Sequence, residues 1–309
     1  MRHFPGRFGR VGLVFTVLCC GGGTPHPGPA ATPEGLGAAV RERVAQVPGA
    51  FVGVYYRVLG RPDDTLANNA DSSFHAASTM KVPIMIQLFR DVDTGTLRLD
   101  STVLLRNQFA SIVDGSPYAL DPKDDSDSGM YARIGSPVPI RDLLEHMIQR
   151  SSNLATDAVI ELVNAARADT TAHALGATRI RVLRGVEDIK AFSAGLNNTT
   201  TARDLGMLLI AIQENRAASP QSCAQMREIL LGQEFNTEIP AGLPPGTPVA
   251  HKTGWITGVL HDAAIVYPRR APPYVLVVLT RGIPDETVAR KLIVDISRMV
   301  YSAETGRAA

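Results

Sequence analysis

Apolar residues recur at helical spacing from Glu34 to Val47, where Leu36, Val40, Val44 and Val47 share one side. The period then shortens. Ala50 to Val58, rich in branched and aromatic residues, reads as a strand, and Arg61-Pro62-Asp63-Asp64 reads as a turn. From Ser78 to about Ile212 the pattern is mostly helical, with apolar stripes at Leu143/Leu144/Met147/Ile148, Leu154/Ala158/Leu162/Val163 and Leu205/Leu208/Leu209/Ile212. Strand patterns return at 249–255, 260–267 and 274–280. Asp285 is placed to cap a last helix running to about Tyr301, with Val288, Leu292, Ile296 and Met299 on one side. Strands at the two ends of a chain can pair, because termini often meet in space. The order therefore predicts an α/β (α+β) fold, with one sheet flanked by N- and C-terminal helices and an all-helical lobe between its halves. A ligand cleft is expected between the lobes.

The first 33 residues do not fit this scheme. Arg2, Arg7 and Arg10 precede an apolar run from Val11 to Leu18, the pattern of a secretory signal peptide at 1–19. Cys19 and Cys20 follow, and a cysteine there suits a lipoprotein cleavage box, with either one lipidated. Residues 20–33 hold many glycines and prolines and read as a flexible linker. The expected organisation is leader, tether, then a catalytic domain at 34–305. Within it, an α/β lobe takes about 34–75 and 230–305, and the helical lobe about 76–229. The protein is expected to be exported, either periplasmic or anchored as a membrane lipoprotein.

Composition narrows the function. With 45% hydrophobic and 20% charged residues, wholesale disorder is excluded. Lys+Arg is 31 and Asp+Glu 30, which argues against a nucleic-acid partner. Three cysteines exclude a disulfide scaffold, and two of them lie in the leader region. Cys223, in a helical stretch, reads as a small buried hydrophobe. His251 and His261-Asp262 lack a clear third ligand, so no metal is expected.

Three short motifs carry chemistry. Ser78-Thr79-Met80-Lys81 opens a strongly apolar helical run, and three residues span nearly one helical turn. A serine hydroxyl becomes nucleophilic when a base takes its proton, and a desolvated lysine amine is such a base. Ser151-Ser152-Asn153 offers a hydroxyl to relay a proton and an amide to order Lys81 and a substrate amide. Lys252-Thr253-Gly254 lies on a strand. Its ammonium and hydroxyl suit a substrate carboxylate, and its glycine admits a ligand close to the backbone. The N–H groups of Ser78 and Trp255 are then available to an oxyanion. Each motif alone has an ordinary structural reading: helix caps for the first two, an edge strand guarded by lysine for the third. Together they are harder to dismiss, because only five lysines exist and two fall in these motifs. Chance composition gives roughly 0.3 S-x-x-K and 0.03 K-T-G in such a chain.

S-x-x-K, S-x-N and K-T-G in this order resemble the penicillin-recognising serine hydrolases, and the spacings resemble class A β-lactamases. The resemblance covers about Glu34 to Tyr301. It implies an antiparallel sheet beside a helical lobe, with the active site between them. It also implies Ser78 as the acylated nucleophile, Lys81 as base or base partner and Ser151 as proton relay. Asn153, Lys252, Thr253, Gly254 and Trp255 become the substrate-binding residues. No cofactor is implied, and a monomer is expected.

Two departures from that family bear on turnover. Ser152 stands where the S-D-N pattern has aspartate. The E-x-x-L-N loop, whose glutamate activates water, corresponds here to Glu187-Asp188-Ile189-Lys190-Ala191. Glu187 becomes the expected deacylating residue, while Lys190 and Ala191 replace the leucine and asparagine. The loop's Arg–Asp clamp has Asn198 in place of aspartate. The extra residues of the first interval fall in Arg106–Ile134, where Asp121 to Gly129 reads as a polar surface loop. The leading expectation is a class A serine β-lactamase acting on a small β-lactam. The alternatives are a D-Ala-D-Ala peptidase-like hydrolase with slow deacylation, and a non-catalytic lipoprotein that binds cell-wall peptides.

Overall fold

The computed structural model describes residues 33–306 apart from Pro62 and Asp64. The expected leader at 1–19 and all of the expected linker except Pro33 lie outside the described residues. So do two positions of the expected turn at 61–64. Chain order is α1 (Pro33–Ala45), β1 (Phe51–Val58), β2 (Thr65–Asn68), β3 (Phe74–His75), a 3-10 turn (Ala77–Met80) and α2 (Lys81–Asp93). Three short strands follow, β4 (Thr102–Leu104), β5 (Phe109–Ala110) and β6 (Pro117–Tyr118), then a 3-10 turn (Ser128–Arg133) and β7 (Pro137–Pro139). Next come α3 (Ile140–Gln149), α4 (Asn153–Val163), α5 (Ala165–Ala174), α6 (Ile189–Ser193), β8 (Thr199–Thr200), α7 (Ala202–Gln213) and α8 (Pro220–Leu231). The chain closes with β9 (Val249–Ile256), β10 (Val259–Val266), β11 (Tyr274–Arg281) and α9 (Glu286–Thr305).

The ends of the chain do pair. β1 runs antiparallel to β11, and the sheet order is β2-β1-β11-β10-β9. This sheet is covered on both faces, which is why its strands read as nearly continuous apolar runs rather than as an alternation. One face, with Val52, Val54, Leu276 and Val278, packs on α1 and α9. The other, with Tyr55, Val275, Val277 and Leu279, packs on the helical core. At the centre of that core runs α2, whose residues Lys81 to Phe89 are all buried. A helix apolar around its circumference belongs in an interior.

Three expectations need correction. The stretch from Thr94 to Pro139 holds no α-helix; it forms two small antiparallel pairs, β4–β7 and β5–β6, and one 3-10 segment, Ser128–Arg133. The Asp121–Gly129 segment is not a free surface loop, because Asp125 and Asp127 are buried in it. On α9 the buried side is Ala289, Leu292, Ile293, Ile296 and Val300, while Val288 is exposed. Asp285 caps α9 as expected, through the N–H groups of Thr287 and Val288, and Leu292 and Ile296 of the expected stripe are buried. Cys223 is fully buried on α8. No helix among the described residues is long and apolar enough to cross a membrane.

Candidate active site

The three motifs meet where the helical core abuts β9. Ser78 lies in the 3-10 turn ahead of α2 and lines both arms of an open cleft. One arm, of about 680 Å³, runs past Ser151, Asn153, Thr253, Gly254 and Trp255 toward Glu238 and Arg290. The other, of about 600 Å³, runs past Glu187, Ile189, Phe192 and Trp255. Gly254 is what lets the strand come so near the nucleophile turn. A β-carbon there would stand 3.2 Å from the main-chain nitrogens of both Ser78 and Thr79. Trp255 is 56% exposed, so it is a cleft wall and not core packing.

Lys81 lies beneath the cleft, fully buried. Its Nζ donates to Ser151 O at 2.6 Å, Ser151 Oγ at 3.1 Å and Asn153 Oδ1 at 3.1 Å. Among the described residues its hydrogen bonds run to the second motif and not to the Ser78 hydroxyl. Burial pulls its pKa down to about 8, against the opposing charges of Asp125, Asp157 and Glu187. An appreciable share of free amine therefore exists near neutral pH.

Ser151 sits in the left-handed region (φ 58°) at the turn between α3 and α4. This unusual backbone aims both its carbonyl and its hydroxyl at Lys81. Ser152 caps α4 by accepting from Ala155 N at 3.2 Å. Asn153 has a two-sided role. Its Oδ1 faces Lys81, and its Nδ2 donates to Glu187 Oε1 at 2.9 Å. Glu187 is thus joined to Lys81 through one amide. Partial burial raises the Glu187 carboxyl above its usual range, opposed by the hydrogen bonds from Asn153 and Asp121 N.

The Glu187 loop is held without the aspartate of the Arg–Asp clamp. Asn198 Oδ1 accepts from Leu183 N at 2.7 Å and Arg184 N at 3.1 Å, and its Nδ2 donates to Arg184 O at 3.0 Å. The Arg184 guanidinium turns instead to the carbonyls of Leu196 and Gly185 and to Asn197 Oδ1. A neutral amide thus does by hydrogen bonding what an ion pair would do. Asp157, one helical turn after Asn153 on α4, accepts from Val186 N at 2.6 Å and from the Tyr118 hydroxyl at 2.9 Å. Burial raises its carboxyl to about 8. Ala191 is buried and offers no polar side chain, whereas Lys190 points outward to Asp114 at 2.9 Å.

On the strand side, Lys252 is fully buried, with Nζ 3.0 Å from Thr253 O. Burial first, then the Lys81 charge, holds its pKa well below the usual ammonium value. An arriving carboxylate would restore its proton affinity. The two histidines are structural: His251 Nδ1 meets Asp262 at 2.9 Å, and His261 donates from Nε2 to the carbonyl of His75 and accepts at Nδ1 from Thr280 N. Among the described residues no group of three His, Cys, Asp or Glu is placed to hold a metal.

Seven of the nine residues singled out in the sequence line this cleft; Lys81 and Lys252 lie fully buried behind it, Lys81 joined to it through Ser151 and Asn153. Sequence reasoning missed Asp125 and Asp157. The i, i+4 spacing from Asn153 was a usable signal for Asp157. Nothing distinguished Asp125 from the other acids of its run.

The chain is similar to known beta-lactamases and to PBP-A. A model described as "Beta-lactamase enzyme family" matches residues 35–303. A beta-lactamase of Streptomyces fradiae is 27% identical over 305 residues, covering 96% of this chain and 94% of the relative. A PBP-A mutant solved as an acyl-enzyme complex with penicillin G is 29% identical with a TM-score of 0.74, over 89% of this chain and 98% of that one. A beta-lactamase from Sphaerobacter thermophilus is 28% identical with a TM-score of 0.69, over 87% and 97% of the two chains.

Proposed function

The chain belongs to the beta-lactamase enzyme family, and from that premise we propose that it hydrolyses β-lactams by the class A route, through an ester on Ser78. The observation that supports this reading is the hydrogen-bonded path Lys81–Asn153–Glu187, whose Asn153 and Glu187 line the same cleft arm as Ser78. Free Lys81 amine takes the Ser78 proton as Oγ attacks the lactam carbonyl. The N–H groups of Ser78 and Trp255 receive the oxyanion. The Lys81 proton passes by way of the Ser151 hydroxyl to the departing lactam nitrogen as the C–N bond breaks. Lys252 and Thr253 hold the substrate carboxylate. Glu187 then takes a proton from water as that water attacks the ester, and this proton is returned to Ser78 Oγ as the ester C–O bond breaks, which restores the free carboxylate and hydroxyl.

Intact-mass measurement over time with penicillin tests this. The wild type should show a short-lived adduct on Ser78, Glu187→Gln a persistent one and Ser78→Ala none. No adduct, together with no hydrolysis of a chromogenic cephalosporin, would overturn the proposal. A long-lived wild-type adduct with release of D-alanine from a muropeptide would replace it with the peptidase reading. The proposed catalytic domain is 34–305. The basic residues of 2–10, the apolar run 11–18 and the Cys19-Cys20 pair support export with a lipid anchor. Fatty-acid labelling of the full-length protein in a bacterial host tests the anchor, and an unlabelled protein removes it.

A further inference from the structure

Loop 121–129 lies outside all three motifs, yet it grips the turn on which the second motif is built. Asp125 Oδ2 accepts from Asn153 N and from Leu154 N, both at 2.9 Å, and from the Tyr131 hydroxyl at 3.1 Å. Its Oδ1 accepts from Asp127 N at 2.9 Å. With Ser152 taking Ala155 N, the first three N–H groups of α4 all have acceptors. Ser126 Oγ donates to Arg150 O at 2.7 Å and to Ser151 O at 3.3 Å. Asp127 Oδ2 meets His146 Nδ1 at 2.5 Å, fastening the loop to α3. Asp121 N reaches Glu187 Oε2 at 3.4 Å.

The held turn has strained backbone, with Ser151 at φ 58°. Lys81 bonds both sides of it, at Ser151 and at Asn153. Ser152 stands where the S-D-N pattern carries aspartate, and here a carboxylate reaches the same turn from a distant loop. We infer that Asp125 is a positioning residue for acyl transfer: it fixes the Ser151–Asn153 turn against Lys81 and places its carboxylate near that amine.

The charges acting on Lys81 are few. Asp125 is the foremost of the carboxyl groups that raise its proton affinity, followed by Asp157 on α4 and Glu187 from its loop, and Lys252 on β9 is a second buried amine that interacts with it. Removing the Asp125 charge therefore favours the neutral amine, so free base persists to lower pH. A purely structural brace would slow the reaction or destabilise the fold without moving that titration.

The inference rests on the acyl-serine reading, and the test separates the two. The rate of Ser78 acylation by a chromogenic cephalosporin is followed against pH by stopped flow, with intact mass confirming the adduct. In Asp125→Asn the maximal rate should fall about tenfold as the turn loosens. The midpoint of the acid limb should move down by about one pH unit. Asp127→Asn, in the same loop, should keep the wild-type midpoint; an equal shift there overturns the assignment to Asp125. If Asp125→Asn does not fold, Asp125→Glu carries the test. It retains the charge but displaces the oxygens, so the rate should fall while the midpoint stays, and a wild-type rate overturns the proposal. A wild-type protein that takes no adduct overturns the acyl-serine reading and this inference with it. A wild type that acylates beside an Asp125→Asn protein of unchanged midpoint overturns this inference alone.

Discussion

The strand wall of the cleft is positioned by main-chain pairing. β9 and β10 pair in unbroken antiparallel register from Val249↔Val266 to Ile256↔Val259, so the places of Lys252, Thr253 and Gly254 follow from the ladder. The opposite wall is built from loops in unusual backbone, with Ser151 at φ 58° and Glu187 at φ 60°. Its order comes from side chains that reach over from elsewhere: Asp125 at the Ser151 turn, and Asn198 and Asp157 at the Glu187 loop. A sheet edge positions a site at little cost in specific sequence, whereas a loop wall needs a named partner for each strained segment.

The largest test of this contrast is at the loop wall. Glu187→Gln keeps the shape and removes the base, and steady-state hydrolysis should fall by roughly 10²–10⁴-fold while acylation falls much less. Single-turnover and steady-state rates on one substrate would separate the two steps. The strand wall should break at Gly254. Gly254→Ala drives a methyl against the Ser78 and Thr79 nitrogens and should slow acylation by about 10²-fold with little loss of stability. If Gly254→Ala instead melts the protein, the strand wall is less robust than its ladder suggests.

Asn198→Ala should show the converse. It strands the buried N–H groups of Leu183 and Arg184 and should cost about 2–3 kcal/mol in urea unfolding, with deacylation slowed more than acylation. Asp157 makes the loop wall sensitive to pH. Its folded-state pKa of about 8 lies above its ordinary 3.8, so between those values the folded protein holds a proton that the unfolded chain releases. This contribution to stability falls as pH rises through that window and is level above it. Asp157→Asn should flatten Tm against pH there. The smallest effect belongs to Lys190, whose bond to Asp114 is half exposed. Lys190→Ala should change stability by less than about 1 kcal/mol.

What the sequence determined by itself was whatever depends on local period or on residue type at fixed spacing. Branched and aromatic runs gave β1, β9, β10 and β11 within a residue or two, and S-x-x-K, S-x-N and K-T-G named the residues now found around one cleft. Glu187 was legible only through the resemblance of its loop to E-x-x-L-N. Tertiary structure alone decided which residues hold those groups still. Asp125 looked like any acid in a run of acids, and only packing buried it against the first turn of α4. The buried face of α9 was set by its packing on the sheet and α1, which left Val288 exposed. The physical reason is common to both: a contact between segments far apart in the chain leaves no periodic trace in either one, so it is settled only when the core brings them together.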